Sequence, residues 1–236
     1  MEDKNVVNYT STTSRPAAFS ALMRDVYAWM ALALSLTGLM AMFVAQQPQL
    51  VQFIFLNRIV FYGLLLAEVG IVIYLSARLM DMSFAKAGIL FVIYSILNGA
   101  TLSCIFFVYT SESIAATFFV TAGMFGALAL LGTFIKRDLS SFGRFLYMAL
   151  IGLIFASVVN LFFASSTLYW ITTYAGVFIF IGLTVYDTKK IRELLYLFGE
   201  ERNEESMKVA LIGSLQLYLD FINLFLYLLR IFGRRR

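Results

Sequence analysis

The 236-residue chain has no histidine, one cysteine and two prolines, and only 14% of its residues are charged. Without histidine there is no imidazole metal site, no Ser-His or Cys-His catalysis, and no ordinary side-chain switch near neutral pH. Cys104 has no second thiol to pair with inside the chain. Within its apolar run it reads as a small buried hydrophobe. The scarcity of charge is the most restrictive lack, because an average soluble domain carries roughly 25% charged residues. Here 61% are hydrophobic and the mean hydropathy is +0.85, more apolar surface than a water-soluble fold of this size can hide. Lipid is the solvent this composition implies. The formal charge of +4 sits in short breaks between apolar runs, as membrane topology places it, and no aromatic and basic groove pattern suggests nucleic acid.

The fold class that follows is all-α, a polytopic membrane helix bundle. A helical span needs about 20 mostly apolar residues, and seven stretches qualify: 26–46, 59–77, 85–108, 114–135, 145–164, 168–187 and 209–231. Residues 1–25 read as a polar N-terminal tail without the apolar core of a cleavable signal peptide, so the first span should direct insertion. Residues 26–231 read as one seven-helix domain, and 232–236 as a basic tail. The one long connection is 188–208. Most of the 18 Lys and Arg residues fall on one side if the N-terminus is cytoplasmic. The four arginines Arg230, Arg234, Arg235 and Arg236 would then lie on the other side. A re-entrant last helix would bring them back, whereas the length of 209–231 favours a seventh crossing.

An ionisable side chain at membrane depth is costly unless paired or hydrated, so each is a functional candidate. The acidic ones are Glu68, Asp187 and Asp220. In the last span, Gln216, Asp220, Asn223, Tyr227 and Arg230 fall at i, i+4, i+7, i+11 and i+14, one narrow stripe on a helix. Such a stripe cannot face lipid, which makes the last helix central. Gln216 and Asn223 also suit interhelical hydrogen bonding; Asp220 is a costly choice for that. Asp187 ends the sixth span just before Lys189 and Lys190, which could pair with it. It also sits at a helix C-terminus, where the macrodipole disfavours an anion. Spans six and seven are consecutive, so Asp187 and Asp220 can meet inside the bundle. Two carboxylates held close cannot both ionise easily and titrate as one unit. With both protons lost, the pair is a hard oxygen site for Ca²⁺, weak because Ca²⁺ takes 6–8 oxygens. Glu68 calls for a cation; Arg230 is the candidate by depth, and Arg78 could reach the aspartates instead. Asn98, Gly99, Thr101 and Ser103 in span three, with Gly123, Gly126 and Gly132 in span four, read as packing residues.

The segment Ser214-Leu-Gln-Leu-Tyr-Leu-Asp220-Phe-Ile-Asn223-Leu-Phe-Leu-Tyr-Leu-Leu-Arg230 resembles the C-terminal signature of the Bax inhibitor family. Gly182-Leu-Thr-Val-Tyr186-Asp187-Thr resembles its sixth-helix motif, and Asn98 to Ser103 and Ala67-Glu68-Val69 also fit. The resemblance covers nearly the whole chain, and the short loops look like those of the bacterial inner-membrane branch. It implies a seven-helix fold with the last helix surrounded by the other six. It also implies a pH-sensitive Ca²⁺ leak gated by Asp187 and Asp220, a Glu68–Arg230 ion pair, and an arginine latch for which Arg78 is only approximately in place. No permanently bound cofactor is implied. The expected partners are membrane lipid, Ca²⁺ and protons.

Two other classes compete. One is an interaction protein that modulates a membrane-bound AAA+ protease of the FtsH type or a stress response, with residues 1–25 as its handle. The other is an intramembrane aspartyl protease, which also needs two aspartates on neighbouring helices. It lacks support here, since Leu-Tyr-Leu precedes Asp220 and the prolines are only Pro16 and Pro48. The expectation is therefore not an enzyme.

Overall fold

A segment that crosses lipid must satisfy its own backbone polar groups, and a helix does so residue by residue. The computed structural model describes residues 11–198 and 202–236 of the chain, with side chains described over 17–197 and 202–236. Among the described residues, 7 helices are long and apolar enough to cross a membrane. They are α1 (Ser11–Ala45), α2 (Arg58–Arg78), α3 (Phe84–Leu102), α4 (Ser111–Phe134), α5 (Ser140–Phe163), α6 (Ser166–Phe198) and α7 (Glu204–Phe232). The protein is an integral membrane helix bundle.

Polar side chains punctuate the breaks. Asn57 opens α2 by accepting from the amides of Ile59 and Val60, and Ser83 opens α3 by accepting from Lys86. Thr110 caps α4, and Asn203 forms a reciprocal capping box with Ser206 at the start of α7. These caps satisfy amides that the first helical turn leaves without partners. α5 stops at Ala164, whose φ of 47° is left-handed. The Asn160 carboxamide accepts from the next amide, that of Ser165, at 2.9 Å.

Two boundaries differ from the sequence reading. The helix that carries the first span starts by Ser11 rather than at 26, so residues 11–25 are not an extended tail; residues 1–10 lie outside the described part. Likewise α6 runs on to Phe198 through the polar segment expected to be a loop. Both extensions have an apolar side to bury. Leu22, Val26 and Leu195 are fully buried in one cluster, and Phe19 meets Tyr196 edge to face.

The last helix crosses completely. Its start is tied to one end of the bundle by Glu204, which accepts from the Phe84 amide at 3.0 Å, beside an Arg202–Asp25 ion pair at 2.9 Å. We call this end, where α1 begins, proximal. Beyond α7, the Arg234 carbonyl accepts from Thr110 and the Arg236 amide donates to Val108, both at 3.0 Å, at the distal end. A re-entrant α7 is therefore excluded. It is also the central helix: 72% of its apolar window is buried, against 11–39% for the other six. It packs chiefly on α6, α1, α4 and α3, while α2 leans on α3 and α5 on α6. The surrounding ring is thus four helices with two outriders, rather than six equal neighbours.

Candidate functional site

Asp187 near the polar end of α6 and Asp220 in the middle of α7 meet as a directly interacting pair of carboxyl groups. Both are buried, 2% and 4% exposed. The two helices form the most extensive contact in the bundle, which sets the pair's geometry. Tyr147 of α5 donates to Asp187 Oδ1 at 2.9 Å, and Gln216 donates to the Tyr147 hydroxyl at 2.7 Å. One carboxylate is therefore braced from a third helix. The other has a loose end: Asp220 Oδ2 is buried and finds no hydrogen-bond partner among the described residues. A buried oxygen of this kind is costly unless it holds a proton or meets a cation.

Lysines do not neutralise the pair by direct contact. Lys189 turns away to the Arg137 carbonyl and to Glu193 at 3.3 Å. Lys190 acts on Asp187 through its charge, with its ammonium 5.9 Å from the Tyr147 ring centre. The groups of three or more His, Cys, Asp or Glu that would form a dedicated metal cage are absent among the described residues. The arrangement thus offers a two-carboxylate site, chemically suited to a hard cation held weakly.

All five residues of the α7 stripe line one crevice of about 790 Å³ between α5, α6 and α7, with Ser76 of α2 on its rim. It runs from Ile212 and Leu215, past Asp187 and Asp220, to Asn160, Tyr169 and Arg230 near the distal end. From Asp220 to Arg230 is about 15 Å along the helix, half a bilayer core. Beside the crevice on the proximal side of the aspartates, Ile191, Leu195 and Leu211 are all but fully buried. Ile191 lies one turn beyond Asp187 and presses on the backbone of Gly213, where an added Cβ would sit 2.9 Å from its Cγ2. The carboxylate pair therefore stands within the crevice, whose lining continues past it on the proximal side through Leu215 and Ile212, beside the apolar plug of Ile191, Leu195 and Leu211.

The structure does not join Glu68 to Arg230. Glu68 accepts from the Asn98 carboxamide at 3.3 Å and from the Thr101 hydroxyl, both on α3, the helix on which α2 leans. Tyr218 of α7 donates to Asn98 Oδ1 at 3.1 Å and meets Thr37 of α1 at 2.8 Å. Arg230 lies elsewhere on α7, with its guanidinium over the rings of Tyr169 and Tyr227. Nor does Arg78 reach the aspartates. Two-thirds exposed, it pairs at 3.3 Å with Asp81, three residues along at the tightened end of α2.

A family model described as "Inhibitor of apoptosis-promoting Bax1" matches residues 20–236. The chain belongs to the Bax inhibitor family. Inner membrane protein YbhL of Escherichia coli (strain K12) is 48% identical over 220 residues, covering 93% of this chain and 94% of that one. The uncharacterized protein RP147 of Rickettsia prowazekii is 40% identical over 240 residues, covering 98% and 100%. A protein of Deinococcus radiodurans is 42% identical over 213 residues, covering 90% of each. This Bax inhibitor family member thus matches these relatives over 90–98% of its length.

Some of the site was not evident from residue type. Asn98 and Thr101 hold the buried carboxylate that a packing reading leaves unanswered. Tyr147 and Tyr218 carry the polar contacts of Asp187 and Asn98, and nothing in their sequence setting separates them from the other 11 tyrosines of the 13. Gly99 and Gly132 are close-packing sites as expected: added carbons would meet the Thr37 and Val185 carbonyl oxygens at 2.5 Å. Gly123 and Gly126 face open space, and Cys104 is exposed on the bundle's outer side, not buried. In a lipid-facing position a thiol needs no burial to be an apolar side chain.

Proposed function

We propose that this protein is a pH-sensitive Ca²⁺ leak pathway of a bacterial inner membrane, with Asp187 and Asp220 as its gate. The observation that carries the reading is the buried carboxylate pair lining the crevice, with one oxygen lacking a partner among the described residues. While the pair shares a proton it is compact, and α6 and α7 stay closed over the Ile191 plug. Loss of that proton leaves two anions that repel each other and attract a divalent cation. The groups facing the pair are Tyr147 of α5, Gln216 of α7 and, through its charge, Lys190 of α6. None of them titrates near neutrality when unperturbed, so the response belongs to the aspartates. The name of YbhL as an inner membrane protein, together with the lysines and arginines beside the proximal end, supports that membrane and a cytoplasmic N-terminus.

The test is Ca²⁺ flux into proteoliposomes across pH. Wild-type protein should pass Ca²⁺ at a rate that depends on pH, and the Asp187→Asn, Asp220→Asn double variant should lose that dependence. An unchanged pH profile in the double variant refutes the gate.

A further inference from the structure

The distal mouth of the crevice carries charge that no acidic side chain among the described residues pairs with. Arg230 stands 5.0 Å from the ring centre of Tyr227 and 5.5 Å from that of Tyr169. Arg235 reaches the same Tyr169 hydroxyl at 3.5 Å. Neither arginine has a carboxylate partner among the described residues. Glu112 is the one acidic side chain at that end among them. Two guanidiniums converging on one tyrosine at the edge of a bilayer repel each other unless an anion lies between them. A phosphate suits them, because a guanidinium binds it through paired hydrogen bonds.

The walls below this mouth are not those of a site for a small ion. On α5, Ile154, Val158 and Leu161 line the crevice at i, i+4 and i+7, with exposures of 55%, 47% and 81%. The lining of α5 from 150 to 161 runs about 16 Å. The other outrider, α2, does not close the open side, because it contributes only Ser76 to the lining. The crevice is thus basic at its distal end and apolar along its flank, with the flank turned to the membrane. A phosphate alone would leave that flank empty. A phosphate carrying an acyl chain would fill both parts.

We propose that the crevice binds an anionic phospholipid, with its phosphate on Arg230 and Arg235 and one acyl chain between α5 and α7 along Ile154, Val158 and Leu161. Binding also has a consequence for conduction, which rests on the leak reading: the phosphate cancels positive charge at the mouth through which a cation passes.

The experiment is native mass spectrometry of the full-length protein in detergent. It is supplied in turn with phosphatidylglycerol and with phosphatidylcholine of the same acyl chains, with inorganic phosphate as competitor. Wild-type protein should retain phosphatidylglycerol preferentially. Arg230→Gln should lower that retention at least about tenfold, as loss of a charge-assisted contact does. Val158→Trp, a change at an exposed wall position, should lower it too by filling the crevice. Inorganic phosphate should not compete. Equal retention of the two lipids, or unchanged retention in Arg230→Gln, overturns the proposal. Unchanged retention in Val158→Trp, or displacement by inorganic phosphate, overturns the acyl-chain assignment. The Asp187→Asn, Asp220→Asn variant should hold lipid as wild type does, so failure of the leak reading and failure of the lipid site are seen separately.

Discussion

A single hydroxyl links three helices at the carboxylate pair. Tyr147 donates to Asp187 and accepts from Gln216, and a hydrogen bond donated to a carboxylate favours its charged form. Tyr147→Phe should therefore make the pair harder to deprotonate. The pH midpoint of Ca²⁺ binding should move up by about one unit, the size expected for one bond to a charged group; isothermal titration at several pH values measures it. Glu68 poses a different case, since it is satisfied by neutral donors. Glu68→Ala strands the Asn98 amide, while the Thr101 hydroxyl keeps the Leu97 carbonyl as acceptor, and should cost about 1–3 kcal/mol, seen as a lower thermal midpoint in detergent. Glu68→Gln keeps an acceptor and should cost less. A larger loss in the glutamine variant would mean that charge, and not hydrogen bonding, is what the site requires.

Between helices, the close approaches are set by glycine at two places. Gly99 lies against Thr37 of α1, and Gly132 against Val185 of α6. Backbone atoms cannot swing aside as a side-chain tip can, so Gly99→Val and Gly132→Val should each destabilise by about 1–3 kcal/mol. Gly126→Ala, with nothing within 4 Å of the added carbon, should leave the thermal midpoint nearly unchanged. In the loop before α5, Asp138 accepts from the Ser140 hydroxyl at 2.5 Å and from its amide at 2.9 Å. These bonds hold its carboxyl below the usual range. The support they give is present above the ordinary aspartate range and is lost as pH falls through the lowered value. Ser140→Ala should let Asp138 titrate at higher pH, as carboxyl-carbon NMR would record. At this scale the sequence was a good guide to helices and a poor one to their partners. Hydropathy marked all seven spans, and the 3.6-residue period placed Gln216 to Arg230 on one stripe. Depth alone matched Glu68 with Arg230, because depth carries no information about which helix α2 leans on. The extensions of α1 and α6 were missed for a similar reason. Leu22 and Leu195 bury in one shared cluster outside the apolar windows.

Across the whole molecule, the arrangement amounts to a central helix with two faces. One face, at Tyr218, is fixed by hydrogen bonds to α1 and α3; the other, at Asp220, borders the crevice. The account depends on protons and Ca²⁺ competing for the same two carboxyl groups, as they do wherever a cation needs deprotonated ligands. The most direct measurement is the number of protons released when Ca²⁺ binds the purified protein, obtained by calorimetry in buffers of different ionisation enthalpy. Wild-type protein should release protons on binding near neutral pH, and the Asp187→Asn, Asp220→Asn variant should release none. Ca²⁺ binding without proton release, or equal release from the double variant, would contradict it.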